Sequence, residues 1–100
     1  MIEITNQAEF NDFFQNDYNG SPSECALRQL LKFYALVKEY EKGIEFPQKW
    51  LMNSVPLFYL TGILGAYEPD ENALYYIYRN RIARICVCES VIKRIVQNEK

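Results

Sequence analysis

From Asn72 to Lys100 the chain runs without Gly or Pro, and its apolar residues fall on more than one side of a helical repeat. With successive residues about 100° apart, Leu74, Ile77, Tyr78, Ile85, Cys88, Ile92, Ile95 and Val96 gather on one broad face. Tyr76, Ala83, Val87 and Val91 gather nearly opposite, and a narrow strip with Arg79, Ser90, Lys93 and Gln97 is left for water. The pattern predicts one long final helix that is largely buried, because a helix apolar nearly all round must be covered by its own domain or by another chain. A chain of 100 residues has little else to wrap it. Self-association through this helix is therefore expected, with Tyr76, Arg81, Arg84, Val87 and Val91 as the partner-binding residues.

Upstream, the same reading predicts shorter helices. Asn6 and Glu9 have capping-box spacing and open a helix bearing Phe10, Phe13, Phe14 and Tyr18 that ends before Gly20. Ser21 as N-cap, Pro22 in the first helical position and Glu24 completing the box predict a second helix to about Lys42, stopped by Gly43. Its apolar face is Leu27, Leu30, Phe33, Tyr34, Val37 and Tyr40; its wet face is Arg28, Lys32 and Glu39. Pro47 begins a further turn or two to Asn53. Ser54 and Pro56 restart a helix to about Leu64, and Glu68-Pro69-Asp70-Glu71 opens the last one with carboxylates where the helix dipole favours them. No period-two alternation is sustained enough to demand a strand. The expected fold is all-α: a single domain over 1–100, a compact bundle of about four to five helices with short connections.

Composition adds little to this. Apolar residues at 49% and charged residues at 24% suit a globular domain. The apolar run Val55 to Leu64 is too short to span a bilayer, which needs roughly 20 residues. The formal charge of −2 hides a gradient: Met1 to Glu24 carries −5, and Asn72 to Lys100 carries +4. An acidic first segment packed beside a basic last one explains that gradient without a second molecule; head-to-tail attraction between subunits, or two separate surfaces for two partners, are the alternatives. Three cysteines behind an acidic start with no basic or apolar leader point to a reducing, cytoplasmic setting. On the expected helix, Cys86 and Cys88 point about 160° apart and cannot bridge; Cys25 falls on a wet face.

The chemistry is mostly exclusion. The sequence has no histidine, which removes Ser-His and Cys-His nucleophile pairs, His zinc sites and the second half of an Arg…His ribonuclease motif that Arg79-Asn80-Arg81 would begin. Phosphate-binding glycine loops are missing, and Gly62-Ile63-Leu64-Gly65 lacks the basic neighbours of a nucleic-acid clamp. No catalytic, cofactor-binding or metal residues are assigned. The one stretch of interleaved aromatics and cations runs from Tyr75 to Arg84. With Lys93 it supplies the alternative nucleic-acid set of Tyr75, Arg79, Arg81, Arg84 and Lys93, although those cations diverge around a helix. Arg81, amid the main apolar face, must snorkel, pair with Asp12 or Asp17, or anchor an interface.

The expectation is thus a small non-enzymatic protein-binding module: a self-assembling subunit, an adaptor, or an inhibitor of the phage accessory or immunity type. It needs no cofactor and no membrane, and it binds protein, most simply its own copies. A nucleic-acid-associated subunit is the runner-up.

Overall fold

The computed structural model describes residues 1–14, 22–60 and 62–97, with the backbone alone at 22 and 23. It overturns the all-α bundle. Three helices pack on a six-stranded mixed sheet. The elements are β1 (Ile2–Ile4), α1 (Gln7–Phe13), α2 (Pro22–Glu41), a single 3₁₀ turn (Gln48–Trp50), β2 (Leu51–Met52), β3 (Val55–Leu60), β4 (Ile63–Glu68), β5 (Ala73–Tyr78), β6 (Arg81–Cys86) and α3 (Glu89–Val96). Strand order is β1-β6-β5-β4-β3-β2; β1 runs parallel to β6 and all other pairs are antiparallel.

Both early helices form, but α1 ends at Phe13 with Phe14 as its C-cap, well short of the expected end before Gly20. Asn6 caps α1 by accepting from the Glu9 N–H at 2.9 Å. Glu9 reaches back one residue further than a capping box requires, and its Oε1 accepts from both the N–H and the hydroxyl of Thr5 at 2.8 Å. At the end of α2 the Ile44 N–H bonds the Glu39 carbonyl (3.1 Å) and the Gly43 N–H bonds the Tyr40 carbonyl (2.9 Å). That is a Schellman closure, with Gly43 at φ 91° in the left-handed position such a closure needs. The proposed caps at Ser21 and Gly20, and Tyr18, lie outside the described residues.

The two later helices do not exist as predicted. Val55–Leu60 is β3 and Ile63 and Leu64 begin β4, and the presumed final helix is β5, β6 and the short α3. Glu68 closes β4, and Pro69 to Asn72 is the link to β5, with the Asn72 N–H bonding the Pro69 carbonyl at 3.2 Å. What breaks the helical reading is a pair of two-residue hairpin turns without glycine. Asn53-Ser54 joins β2 to β3 and Arg79-Asn80 joins β5 to β6, each with both residues at positive φ. Two consecutive left-handed residues match the twist of an antiparallel hairpin. The 63–65 stretch is likewise strand, not a helix terminus.

The strands alternate in burial. Ile4, Ile85, Leu74 and Tyr67 form one cross-strand row; Ala83, Tyr76, Gly65 and Phe58 form the next. Apart from Gly65, which has no side chain to pack, both rows join the hydrophobic core with Phe10, Phe13, Phe14, Leu30, Phe33, Val37, Val91, Ile92 and Ile95 of the helices. Ring contacts stitch the layers: Phe33 to Phe58 at 4.1 Å, Phe14 to Tyr76 at 5.4 Å, Phe13 to Tyr78 at 5.9 Å. The helices thus cover one side of the sheet, and among the described residues the other side carries no second layer.

A candidate interaction face on the uncovered side of the sheet

On the uncovered side, Tyr59, Leu64, Ile77 and Ile82 line up across β3, β4, β5 and β6. Their exposures are 66%, 44%, 65% and 47%. Four large apolar side chains in register and in water form a contiguous patch, which a sheet with one solvated face normally avoids by alternating to polar residues. At the β3 side the row opens into a cleft of about 430 Å³ shared with Trp50, Met52 and Leu57; Met52 is 58% exposed.

Next to this row the face turns polar. Arg84 in the middle of β6 donates to Glu3 of β1 (3.2 Å), to Glu71 of the β4–β5 link (3.4 Å) and to the Tyr75 hydroxyl of β5 (3.2 Å). The Tyr75 hydroxyl in turn donates to Glu71. This Tyr75 bond, helped by Arg84, lowers the Glu71 pKa; the same contact with Glu71 raises that of Tyr75. The Arg84 guanidinium is held charged by Tyr75 first, then Glu3 and Glu71. The patch is therefore a border between an apolar row and a satisfied charged cluster.

Most of the residues named from sequence fall elsewhere. Tyr76 is wholly buried under Phe14 and Phe58, and Val87 and Val91 are core residues at 1% and 6% exposure. Arg81 faces the helices: its guanidinium sits 4.7 Å from the Phe13 ring centre and donates to the Phe13 carbonyl at 2.9 Å. It is bound internally, to the C-terminal end of α1, and among the described residues no carboxylate pairs with it; Asp17 lies outside the described residues. Of the five expected partner-binding residues, only Arg84 reaches the uncovered face. The nucleic-acid set is scattered as well. Tyr75 and Arg84 share the outer face, Arg79 stands in the β5–β6 turn over the Tyr78 ring (5.1 Å), and Lys93 lies on α3 paired with Glu89 at 3.1 Å.

Sequence reasoning missed Tyr59, Leu64, Ile77 and Ile82. Ile77 and Ile82 were assigned to a helix, where five residues apart they do not neighbour each other; across a two-residue hairpin they are directly paired. The available signal was the enrichment of 73–86 in Tyr and Ile, which favours strands. The cysteines also change place. Cys86 ends β6 and Cys88 is the N-cap residue of α3, so the helical angle that set them apart does not apply.

No protein-family model, curated protein or solved structure matches this chain.

Proposed function

We propose that the chain works by binding protein rather than by catalysis, and that the occupant of the uncovered face is a second copy of the chain packed sheet to sheet. The observation that carries this is the exposed row Tyr59–Leu64–Ile77–Ile82. Stacking a second sheet about 10 Å away is the general way an apolar sheet face is removed from water. A two-fold axis near Leu64 and Ile77 would lay the row on itself, and self-complementary pairs of this kind are the commonest oligomers. The four six-residue strands, about 4.8 Å apart, give a face of roughly 400 Å² per copy, below the roughly 800 Å² of a standard interface. The dimer is accordingly weak and reversible. A cytoplasmic setting suits three free cysteines, and among the described residues no helix is long and apolar enough to cross a membrane. The nucleic-acid reading has less support, because its five residues do not share a surface and Arg84 is neutralised by two carboxylates.

Sedimentation and light scattering from micromolar to millimolar protein test the proposal. A monomer–dimer equilibrium is expected for the native chain. Ile77→Lys abolishes it while leaving the circular dichroism spectrum unchanged, because Ile77 points to water in the monomer. A single 11.8 kDa species at millimolar concentration, or a dimer indifferent to Ile77→Lys, overturns the self-pairing.

A further inference from the structure

We propose that Cys86 and Cys88 form a dithiol site that exchanges with disulfide-bearing compounds and closes to an intramolecular disulfide. Cys86 is the last residue of β6, and Cys88 stands in extended conformation (φ −96°, ψ 156°) before α3. Between them Val87 is buried at 1% exposure, while both cysteines are half-buried. This alternation puts the two thiols on the same side of the chain. The intervening residue is fixed from both sides: the Val87 N–H donates to the Asn72 carbonyl at 2.8 Å, and the Val87 carbonyl accepts from the Asn72 side chain at 3.4 Å. An extended pair two residues apart has its Cα atoms about 6.6 Å from each other, at the upper edge of the roughly 4.4–6.8 Å window for disulfides. Closure is thus within geometric reach of the extended pair.

The two thiols are unequal. The Ser90 hydroxyl, whose oxygen is 3.4 Å from Cys88 Sγ, and then the Val91 N–H at the start of α3 hold the Cys88 pKa down to about 7. Burial and the Cys88 sulfur push Cys86 up. Cys88 is the attacking group and Cys86 the resolving one. Among the described residues no third His, Cys, Asp or Glu joins them to complete a metal site.

The Cys88 thiolate attacks one sulfur of a substrate disulfide. The substrate S–S bond breaks, a mixed disulfide forms on Cys88, and the departing thiolate takes a proton from water. Cys86 then gives up its proton and attacks Cys88 Sγ, the mixed disulfide breaks and the second substrate thiol leaves. The dithiol is oxidised by two electrons and the substrate disulfide is reduced to two thiols.

The test uses the full chain with Cys25→Ser, fully reduced, and dithiobis(nitrobenzoate) as probe. Both aryl thiols should be released per chain with no reagent retained, and the product should be lighter by two hydrogens. With Cys86→Ser added, a single aryl thiol leaves and the reagent stays on Cys88. At pH 7 a pKa of about 7 instead of 9 raises the thiolate fraction about 50-fold and lowers its nucleophilicity about tenfold. Cys88 in this variant should therefore react about fivefold faster in the folded chain than in urea. Parallel arms with glutathione disulfide and with a disulfide-linked peptide dimer distinguish a small substrate from a protein one; closure by either supports the site. Retention of reagent on both cysteines of the Cys25→Ser chain, no closure by either physiological-type disulfide, or a Cys88 no faster folded than unfolded overturns it.

Discussion

Gly65 lies beneath the Phe58 ring. A Cβ built there would stand 2.6 Å from Phe58 Cε2, and the ring is itself packed against Phe33 and Tyr76, with centroids at 4.1 and 5.3 Å. Gly65→Ala should cost about 1–3 kcal/mol in urea unfolding, the range for overpacking a core; an unchanged midpoint would show that the ring has room. At Tyr76 the opposite effect is expected. Its hydroxyl is fully buried without a hydrogen-bond partner among the described residues, and burial drives its pKa well up. A buried unsatisfied hydroxyl costs about 1–3 kcal/mol, so Tyr76→Phe should be neutral or stabilising, and a loss of more than about 1 kcal/mol would reveal a partner. Arg81 shows what a single residue's sequence context conveys. That a guanidinium amid apolar neighbours had to be satisfied was legible. That its partner is the Phe13 carbonyl at the end of α1 was not, because the contact joins residues 68 apart in sequence.

Helix ends are written locally, and strand pairing is not. The Asn6 cap of α1 and the Gly43 closure of α2 depend on residues within a few positions of each other, which is why both helices were readable from Asn6, Pro22 and Gly43. β5 and β6 have apolar or aromatic residues on both faces, since Tyr75, Ile77 and Ile82 sit on the uncovered side. The two-residue alternation that marks a strand is therefore erased, and with no glycine at Arg79-Asn80 the turn is also silent. The left-handed residues of that turn make a test of the hairpin itself. Asn80→Gly should raise stability by about 0.5 kcal/mol, because glycine meets no Cβ penalty at φ 61°. Asn80→Val should lower it by about 1 kcal/mol or more. Were 72–100 helical, glycine would be the damaging substitution and valine nearly harmless, so the order of the two variants decides between the folds. The first turn of α1 carries a pH signature. The Thr5 N–H, then its hydroxyl, lowers the Glu9 pKa from 4.5. A carboxylate with a lowered folded pKa contributes stability above its unfolded value that is lost as pH falls through the folded one. The melting-point gap between the native chain and Glu9→Gln should therefore be present at neutral pH and shrink as pH drops below about 4.5; a gap constant with pH would mean the charge plays no part.

At the scale of the whole molecule, one link between the acidic first segment and the basic last third is internal: Glu3 of β1 meets Arg84 of β6 at 3.2 Å across the parallel strand pair. One pair of charges from the gradient of −5 against +4 is thus met within one chain. What it leaves uncovered is an apolar row, and this separates two ways for copies to meet. Head-to-tail attraction between charged ends would weaken steeply with salt, because exposed charges beyond about 8 Å are screened at physiological ionic strength. Pairing through Tyr59, Leu64, Ile77 and Ile82 removes apolar surface from water, so sodium chloride should change the dimerisation constant by less than about twofold, and sodium sulfate should strengthen it. Ile77→Lys brings two like charges together near the proposed two-fold axis, and its defect should be partly relieved as salt rises. Sedimentation equilibrium across a salt series measures all three. A dimer of the native chain that dissociates in sodium chloride would assign the contact to the charged ends, leaving the row of Tyr59, Leu64, Ile77 and Ile82 exposed in the assembly.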